Sequence, residues 1–495
     1  MTAPDARTRS RPESVGAQQS LAPTASDPTG PTGRLAAFLA ETRLRDLPPE
    51  VVTRTKHLVL DGVGCGLLAA RLPWSMRAVE VMADLDGDGA ATVWGWGRQV
   101  PPGTAALLNG TAIQGFELDD YHPFGPLHSQ ACVVPAVLAM AEHGGGRSGR
   151  DVLEAVALGF ETGPRVGMAL GGLALVARGW HCGSVYGALA SAAGVGALLD
   201  LDDGGFEDAI GLAATQASGL MSAQFEAMVK RMHSGIAART GLTSAALAAR
   251  GFSGIKRVIE REYGGFASTF SEPDAVDLGH LTEGLGERWE IARIAAKPAY
   301  ACMAGLHATV DAVRELTSRG VGPDDVASIR IEVSDAIHKH AGWSLERPAE
   351  VIGAQMNLAY AAAVTLLDGE AFVPQFSPQR IDADDVWEVI ARVEVVHAPD
   401  IDRLGSQARW TSRLVAELTD GTQHALEVRH PWGGHDRPLS DAELRVKFRR
   451  MARAVIDDRT RIDALEDTIL QLEEEPDTGR LRELLASPVA SPFVS

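Results

Sequence analysis

The chain has little with which to cross-link itself, cross a membrane or carry a redox cofactor. Its four cysteines, Cys65, Cys132, Cys182 and Cys302, stand singly among 495 residues without a CxxC pair. That spacing excludes a disulfide scaffold, a zinc ribbon and an iron–sulfur motif, and suits reduced thiols in a cytoplasm. No run of about 18 apolar residues occurs and the first residues lack an apolar signal core, so the sequence predicts neither a membrane span nor export. Cations are scarce: 46 Lys and Arg face 65 Asp and Glu, a formal charge of −19. An acidic chain is repelled by nucleic acid and by anionic membrane surfaces, so neither is an expected partner, and an anionic small molecule needs a locally basic pocket. No GxGxxG follows a strand, and GxxxxGK[ST], GxSxG and HExxH are all missing. The expectation is a protein without a nucleotide cofactor or a metal.

What the chain does have is length and apolar side chains, 45% hydrophobic residues, enough for two cores or for one domain carrying an insertion. Residues 1–33 are rich in Ser, Thr, Pro and Arg and poor in large apolar side chains, which predicts a disordered leader. Residues 34–270 read as helices. Pro48–Pro49 opens one of them, with Asp61 and Cys65 inside it as packing residues, and the small-residue run Gly187–Leu201 lets neighbours approach closely. Residues 271–430 change character. Ala327–Asp335, Ala391–Ala398 and Arg413–His430 alternate as strands, the last turning on Asp420–Gly421, while His307–Ser318 and Leu358–Leu367 are helical. A smaller α+β domain is expected there. Ser440–Glu443 is a capping box that returns the chain to helix, so residues 431–495 are expected to pack back on the first bundle. The fold class is mostly α: a large helical domain formed by both chain ends, with an α+β lid between them.

The chemistry concentrates in Gly115–Glu142. Glu117, Asp119, Asp120, Tyr121, His122 and His128 crowd together, broken by Pro123, Gly125 and Pro126, just ahead of an apolar helix. Acids and imidazoles this close perturb one another's proton affinities, and a helix N-terminus favours an anion. Taken singly, each residue is equally a turn or cap residue. His181 lies before the small-residue helix; Lys230, Arg231, His233 and Arg239 fall within ten positions; Lys297, Tyr300 and His307 sit at the domain junction; Arg347, Gln355 and Tyr360 follow. Together they describe a site in which cations hold a polycarboxylate while His, Lys or Tyr moves protons at neighbouring carbon.

The motifs GFELDDYHPFGPLHS, GWHCGSVYGA, KRMHSGIAARTGL, REYGGF, KPAYACMAGLH and GWSLERP resemble those of the MmgE/PrpD family, from about Leu35 to Leu485. That family includes 2-methylcitrate dehydratase, cis-aconitate decarboxylase and iminodisuccinate epimerase, and the motif wording is most similar to its decarboxylases. The resemblance implies a homodimer and a cofactor-independent carboxy-lyase that converts cis-aconitate, or a closely related tricarboxylate, into itaconate and CO2. The alternative is a 2-methylcitrate-type hydro-lyase or an epimerase of the same family; a non-enzymatic helical scaffold would not keep the polar set. By resemblance, the catalytic group comprises His128, His181, Lys230, Lys297, Asp120 and Tyr360. Substrate contacts are expected from Asp119, Tyr121, His233, Arg231, Tyr300 and Gln355, with Lys297, Tyr300 and His307 as alternatives for the lid residue that reaches substrate. Glu117 stands where many members carry Asp, and Tyr121 where many carry Thr.

Overall fold

A computed structural model describes residues 25–493. The segment read as a leader lies outside them up to residue 24, and its last residues are already ordered by tertiary contact. The first helix starts at Pro31, and Thr32, fully buried, donates to Glu260. The helical part is built from α1 (Pro31–Glu41), α2 (Pro49–Ala69), α3 (Pro73–Asp86), α4 (Pro102–Ile113), α5 (Ser129–His143), α6 (Gly149–Ala169), the short α7 (Leu173–Ala177), α8 (Cys182–Leu198), α9 (Asp203–Ala214) and α10 (Val229–Ala248). A small antiparallel pair, β1 (Ala91–Val93) and β2 (Arg98–Val100), sits at its edge.

The centre of this bundle is α8, apolar all round and made largely of Gly and Ala, so α5, α6, α9 and α10 pack on it at close range. Ser191 Oγ on α8 donates across the interface to the Cys132 carbonyl of α5 at 2.9 Å. Helices α4 and α10 meet as closely: a Cβ built on Gly235 would lie 2.1 Å from the Leu107 carbonyl oxygen.

A two-residue pairing joins this bundle to the second part. β3 (Asp120–Tyr121) runs antiparallel to β4 (Ala295–Ala296), with Asp120 opposite Ala296. The segment before β4 is held to α6 by buried polar contacts. Arg165 donates to the carbonyls of Glu283 and Arg288, and Glu161 accepts from the backbone N–H of Glu290. These contacts tie residues 283–290, the early part of the segment expected as lid, to α6 of the bundle.

The lid is a four-stranded sheet ordered β6 (Val393–His397), β5 (Val326–Val333), β7 (Ser412–Leu418) and β8 (Gln423–Val428), parallel between β5 and β6 and antiparallel elsewhere. Ile329, Ile331 and Val333 of β5 are buried on alternate positions. The helices His307–Ser318 and Leu358–Asp368 pack against each other beside this sheet. The helix Asp441–Arg453, opened by the capping box at Ser440, then returns to α2, where Lys447 Nζ lies 2.7 Å from Asp61 Oδ1.

Replacing Gly235 by Ala is expected to destabilise the protein by about 1–3 kcal/mol, because overpacking against a backbone oxygen outweighs the better helix propensity of Ala. Gly204→Ala, where the nearest atom is 3.6 Å away, should leave stability unchanged or slightly higher. Urea unfolding of both variants checks this contrast.

Candidate active site

The site grows from a strained turn. α4 ends in a 3-10 turn, Gln114–Phe116, and Glu117 follows with φ of 58° in the left-handed region, which costs a non-glycine residue energy that its surroundings must offset. The offset is electrostatic. Glu117 is buried, and its Oε1 accepts from Lys230 Nζ and, at 2.7 Å, from Arg231 Nη1. Lys297 Nζ lies 3.4 Å from the other oxygen and donates to the Glu117 carbonyl at 3.2 Å. Lys230 and Arg231 open α10, whereas Lys297 directly follows β4, so the β3–β4 pairing brings it back beside Glu117. Burial opposes ionisation of Glu117, but the three cations hold its carboxyl well below the usual range.

Asp119 extends the cluster. Its Oδ1 is 3.6 Å from Lys297 Nζ and its Oδ2 is 2.9 Å from His128 Nδ1. His128 precedes α5 and so stands at the junction of the acidic loop and the helix. Asp120 faces the other way. Its two oxygens accept from the backbone N–H groups of Ser129, at 3.1 Å, and Gln130, at 3.0 Å, and thereby cap α5. Lys447 adds a brace from the C-terminal segment, donating to the Leu118 carbonyl at 2.6 Å.

Part of this cluster forms the floor of a cavity of about 250 Å³ between bundle and lid. Glu117, Tyr121, His128, His181, Lys230 and Lys297 line it. The His128 and His181 rings are nearly parallel, 10° apart in plane, with centroids 6.4 Å apart. His181, whose backbone N–H donates to the Gly219 carbonyl, is held neutral because burial and the neighbouring His233 and Lys230 press its proton affinity down. Burial pushes the Tyr121 hydroxyl up to about 12, so it stays a neutral donor.

Not every expected residue reaches the cavity. Arg231 and Gln355 stand one layer behind the floor: Arg231 bonds to Glu117 and to Gln355, which also donates to the carbonyls of Ala301 and Phe116 and so ties lid to bundle. Asp120 is likewise behind it. His233 packs its ring 4.5 Å from that of His181 but faces a separate hollow lined by Ser184, Gly219 and Ile236. Tyr300 donates to Asp311 at 2.7 Å, within the lid. Tyr360 is the third residue of a helix capped by Asn357, and its hydroxyl donates to the Gln375 carbonyl in the lid core. Of the three alternatives for the lid contact, Lys297 lines the cavity and Tyr300 and His307 do not. His122 is structural: its Nδ1 accepts from the Gly125 N–H at 2.9 Å, which leaves Nε2 to face Glu290 at 3.3 Å.

Sequence reasoning missed the rest of the wall. Met221, Gln224, Met303, Ile337, His340, Met356, Arg409 and Trp410 come from loops and short helices of both parts. The Ser406–Trp410 turn just ahead of β7 carries no motif, and nothing in its local composition marks it as part of a site. Among the described residues no group of three or more His, Cys, Asp or Glu is placed to hold a metal ion, and no helix is long and apolar enough to cross a membrane.

Comparison with known proteins gives this geometry a context. Residues 33–278 match the MmgE/PrpD N-terminal domain and residues 300–471 the MmgE/PrpD C-terminal domain. The chain is 39% identical to the cis-aconitate decarboxylase-like protein oryM of Aspergillus oryzae, over 94% of this chain and 99% of that protein. It is 38% identical to the cis-aconitate decarboxylase of Aspergillus terreus, over 94% and 98% of the two chains. The cis-aconitate decarboxylase of Mus musculus is 27% identical, over 92% and 93%.

The neutral imidazoles predict an acid-side stability loss. Burial and Lys230 lower the His233 proton affinity to about 4, so between pH 6.5 and 4 the unfolded chain takes up a proton that the folded chain refuses. Stability from this group is complete above pH 6.5 and falls as pH drops. His233→Asn should therefore gain on the parent by about 3 kcal/mol as pH goes from 7 to 4, with almost no change between pH 7 and 8, as read by denaturant unfolding at each pH.

Proposed function

The chain belongs to the MmgE/PrpD family, and on that premise we propose that it is a carboxy-lyase of the aconitate decarboxylase type, turning cis-aconitate or a closely related tricarboxylate into itaconate and CO2. The observation that carries this reading is the likeness, over nearly the whole chain, to relatives named for that reaction. The charged floor of the cavity supplies groups that the reaction needs. The dehydratase and epimerase readings are not favoured by those relatives.

In this mechanism Lys230 and Lys297, together with the positive charge left over in their cluster, hold substrate carboxylates. His128 and His181 lie on the same floor. With Nδ1 turned to Asp119, His128 presents Nε2 to the substrate and donates a proton to the alkene CH carbon. The bond from the methylene carbon to the departing carboxylate breaks, and its electron pair becomes the new carbon–carbon double bond. The trianion plus one proton gives the itaconate dianion and CO2, so atoms and charge balance. Solvent then returns a proton to His128. No step calls on a metal or an organic cofactor. Asp119 and Asp120 act through others, the first orienting His128 and the second fixing the start of α5.

We further propose a cytoplasmic homodimer. Four free, buried thiols fit a reducing compartment, and the segment 220–229 exposes Leu220, Phe225, Met228 and Val229, an apolar patch that suits a partner chain. Sedimentation at micromolar protein tests the dimer.

His128→Ala is expected to lose about 10²–10⁴-fold in turnover of cis-aconitate, followed by proton NMR, with an unchanged thermal transition; His128→Gln should not rescue it, because an amide bonds but does not protonate carbon. Near-parent turnover in both would move the proton donor to His181. Lys230→Ala should lose activity and also some stability, since it withdraws one of the buried partners of Glu117. Turnover should survive exhaustive chelation and dialysis; loss with recovery on adding zinc or iron would replace this mechanism.

A further inference from the structure

Each turnover takes a proton from His128, and that proton has to be replaced. His181 lines the cavity, and His233 packs behind it with ring centroids 4.5 Å apart and ring planes tilted by 58°. Both side chains are buried, and the Nδ1 atom of each is buried without a hydrogen-bond partner among the described residues. Two orphaned nitrogens in adjacent rings are costly unless an N–H of one serves a lone pair of the other, directly or through one shared water. The backbone fixes both rings in place: the His181 N–H donates to the Gly219 carbonyl at 3.0 Å, and Ser184 Oγ donates to the His233 carbonyl at 3.1 Å. On its far side His233 lines a hollow of about 390 Å³, whose lining includes the exposed Ser218, Ser222 and Glu226. That lining is polar enough to hold water, even where a partner chain lies against Leu220 and Val229. On the near side the His181 ring is stacked 6.4 Å from that of His128, a gap that one bridging water spans. Burial and the nearby Lys230 keep the rings of His181 and His233 neutral, so each offers one N–H and one lone pair, as a relay requires.

We propose that His233 and His181 form a proton relay that recharges His128 from the hollow behind the cavity, while substrate or product still fills the cavity in front. The inference rests on the decarboxylase reading for the need of a proton, and on the placement of the three imidazoles for its route. A hydronium ion or buffer acid in the hollow protonates one nitrogen of His233 as the other nitrogen releases its proton to His181, and His181 passes a proton on to His128 in the same way. One proton enters for each CO2 lost, the rings neither gain nor lose electrons, and both return to their first tautomer by exchange with water. His233 touches no substrate and acts through His181.

The test uses His233→Ala and the size-preserving His233→Asn, with cis-aconitate in dilute buffer. With enzyme in excess, a single turnover should keep the parent rate in both variants, because His128 starts with its proton. In steady state kcat should fall about tenfold, less than the loss of about 10²–10⁴-fold typical of a direct acid–base group. Added imidazole should restore kcat in His233→Ala, since it can occupy the space the ring has vacated, and should leave the parent unchanged. Unchanged kcat in both variants overturns the proposal. A slower single turnover that imidazole does not restore also overturns it, and His233 then only props the His181 ring. If the parent releases no CO2 from cis-aconitate, the decarboxylase reading has failed, and nitrogen NMR of protein carrying isotope-labelled histidine decides the route separately. Exchange of the His181 ring N–H with water should be slower in His233→Asn than in the parent, and equal exchange overturns the relay.

Discussion

The site depends on one buried carboxylate. Glu117 takes Lys230, Arg231 and Lys297 on its two oxygens and its carbonyl, and each of the four groups is almost fully buried. A lone buried cation sheds its proton or leaves the interior, and three cations close together would do so more readily. The carboxylate makes the cluster possible, and the cluster in turn holds Glu117 in a backbone conformation it would otherwise avoid. Arg231 passes the constraint on to Gln355, and through it to the lid. Positive charge in the cavity and attachment of lid to bundle are consequences of the same ion cluster.

Topology supplies the partners. Glu117 and Lys297 are 180 positions apart, and the antiparallel β3–β4 pair, only two residues long, sets them side by side. Helix packing supplies Lys230, since α10 can bring its first turn against the end of α4 only where Gly235 lets the two backbones approach. The distance from floor to histidines is set similarly. His128 and His181 each precede a helix, α5 and α8, and those two helices are packed in contact through small residues.

Regular elements were legible in the sequence wherever a period or a cap was strong. The helix His307–Ser318, the hairpin turned on Asp420–Gly421 and the capping box at Ser440 all stand at the expected residues. The crowded acidic loop stood out in the sequence, and His128, His181, Lys230 and Lys297 all line one cavity. Which acid holds the cations was not, because Glu117, Asp119 and Asp120 look alike in sequence and only the fold separates a clamp, an imidazole partner and a helix cap. Tyr360 and Tyr300 illustrate the opposite failure: a buried hydroxyl needs a partner, and these two find theirs inside the lid. The rest of the cavity wall was invisible because side chains in short loops read as ordinary packing until the two parts are brought together.

The charge balance of the floor bears on which substrate carboxylate departs. Three cations against the two carboxylates of Glu117 and Asp119 leave one positive charge for a substrate with three negative ones. The floor therefore cannot neutralise the whole substrate. A carboxylate held by Lys230 or Lys297 is stabilised as an anion and resists becoming neutral CO2, whereas one away from them gives up less electrostatic stabilisation when it leaves as an uncharged product. Loss of CO2 is favoured from the end left unpaired, and the electron pair it releases moves toward the cations and toward the proton donor.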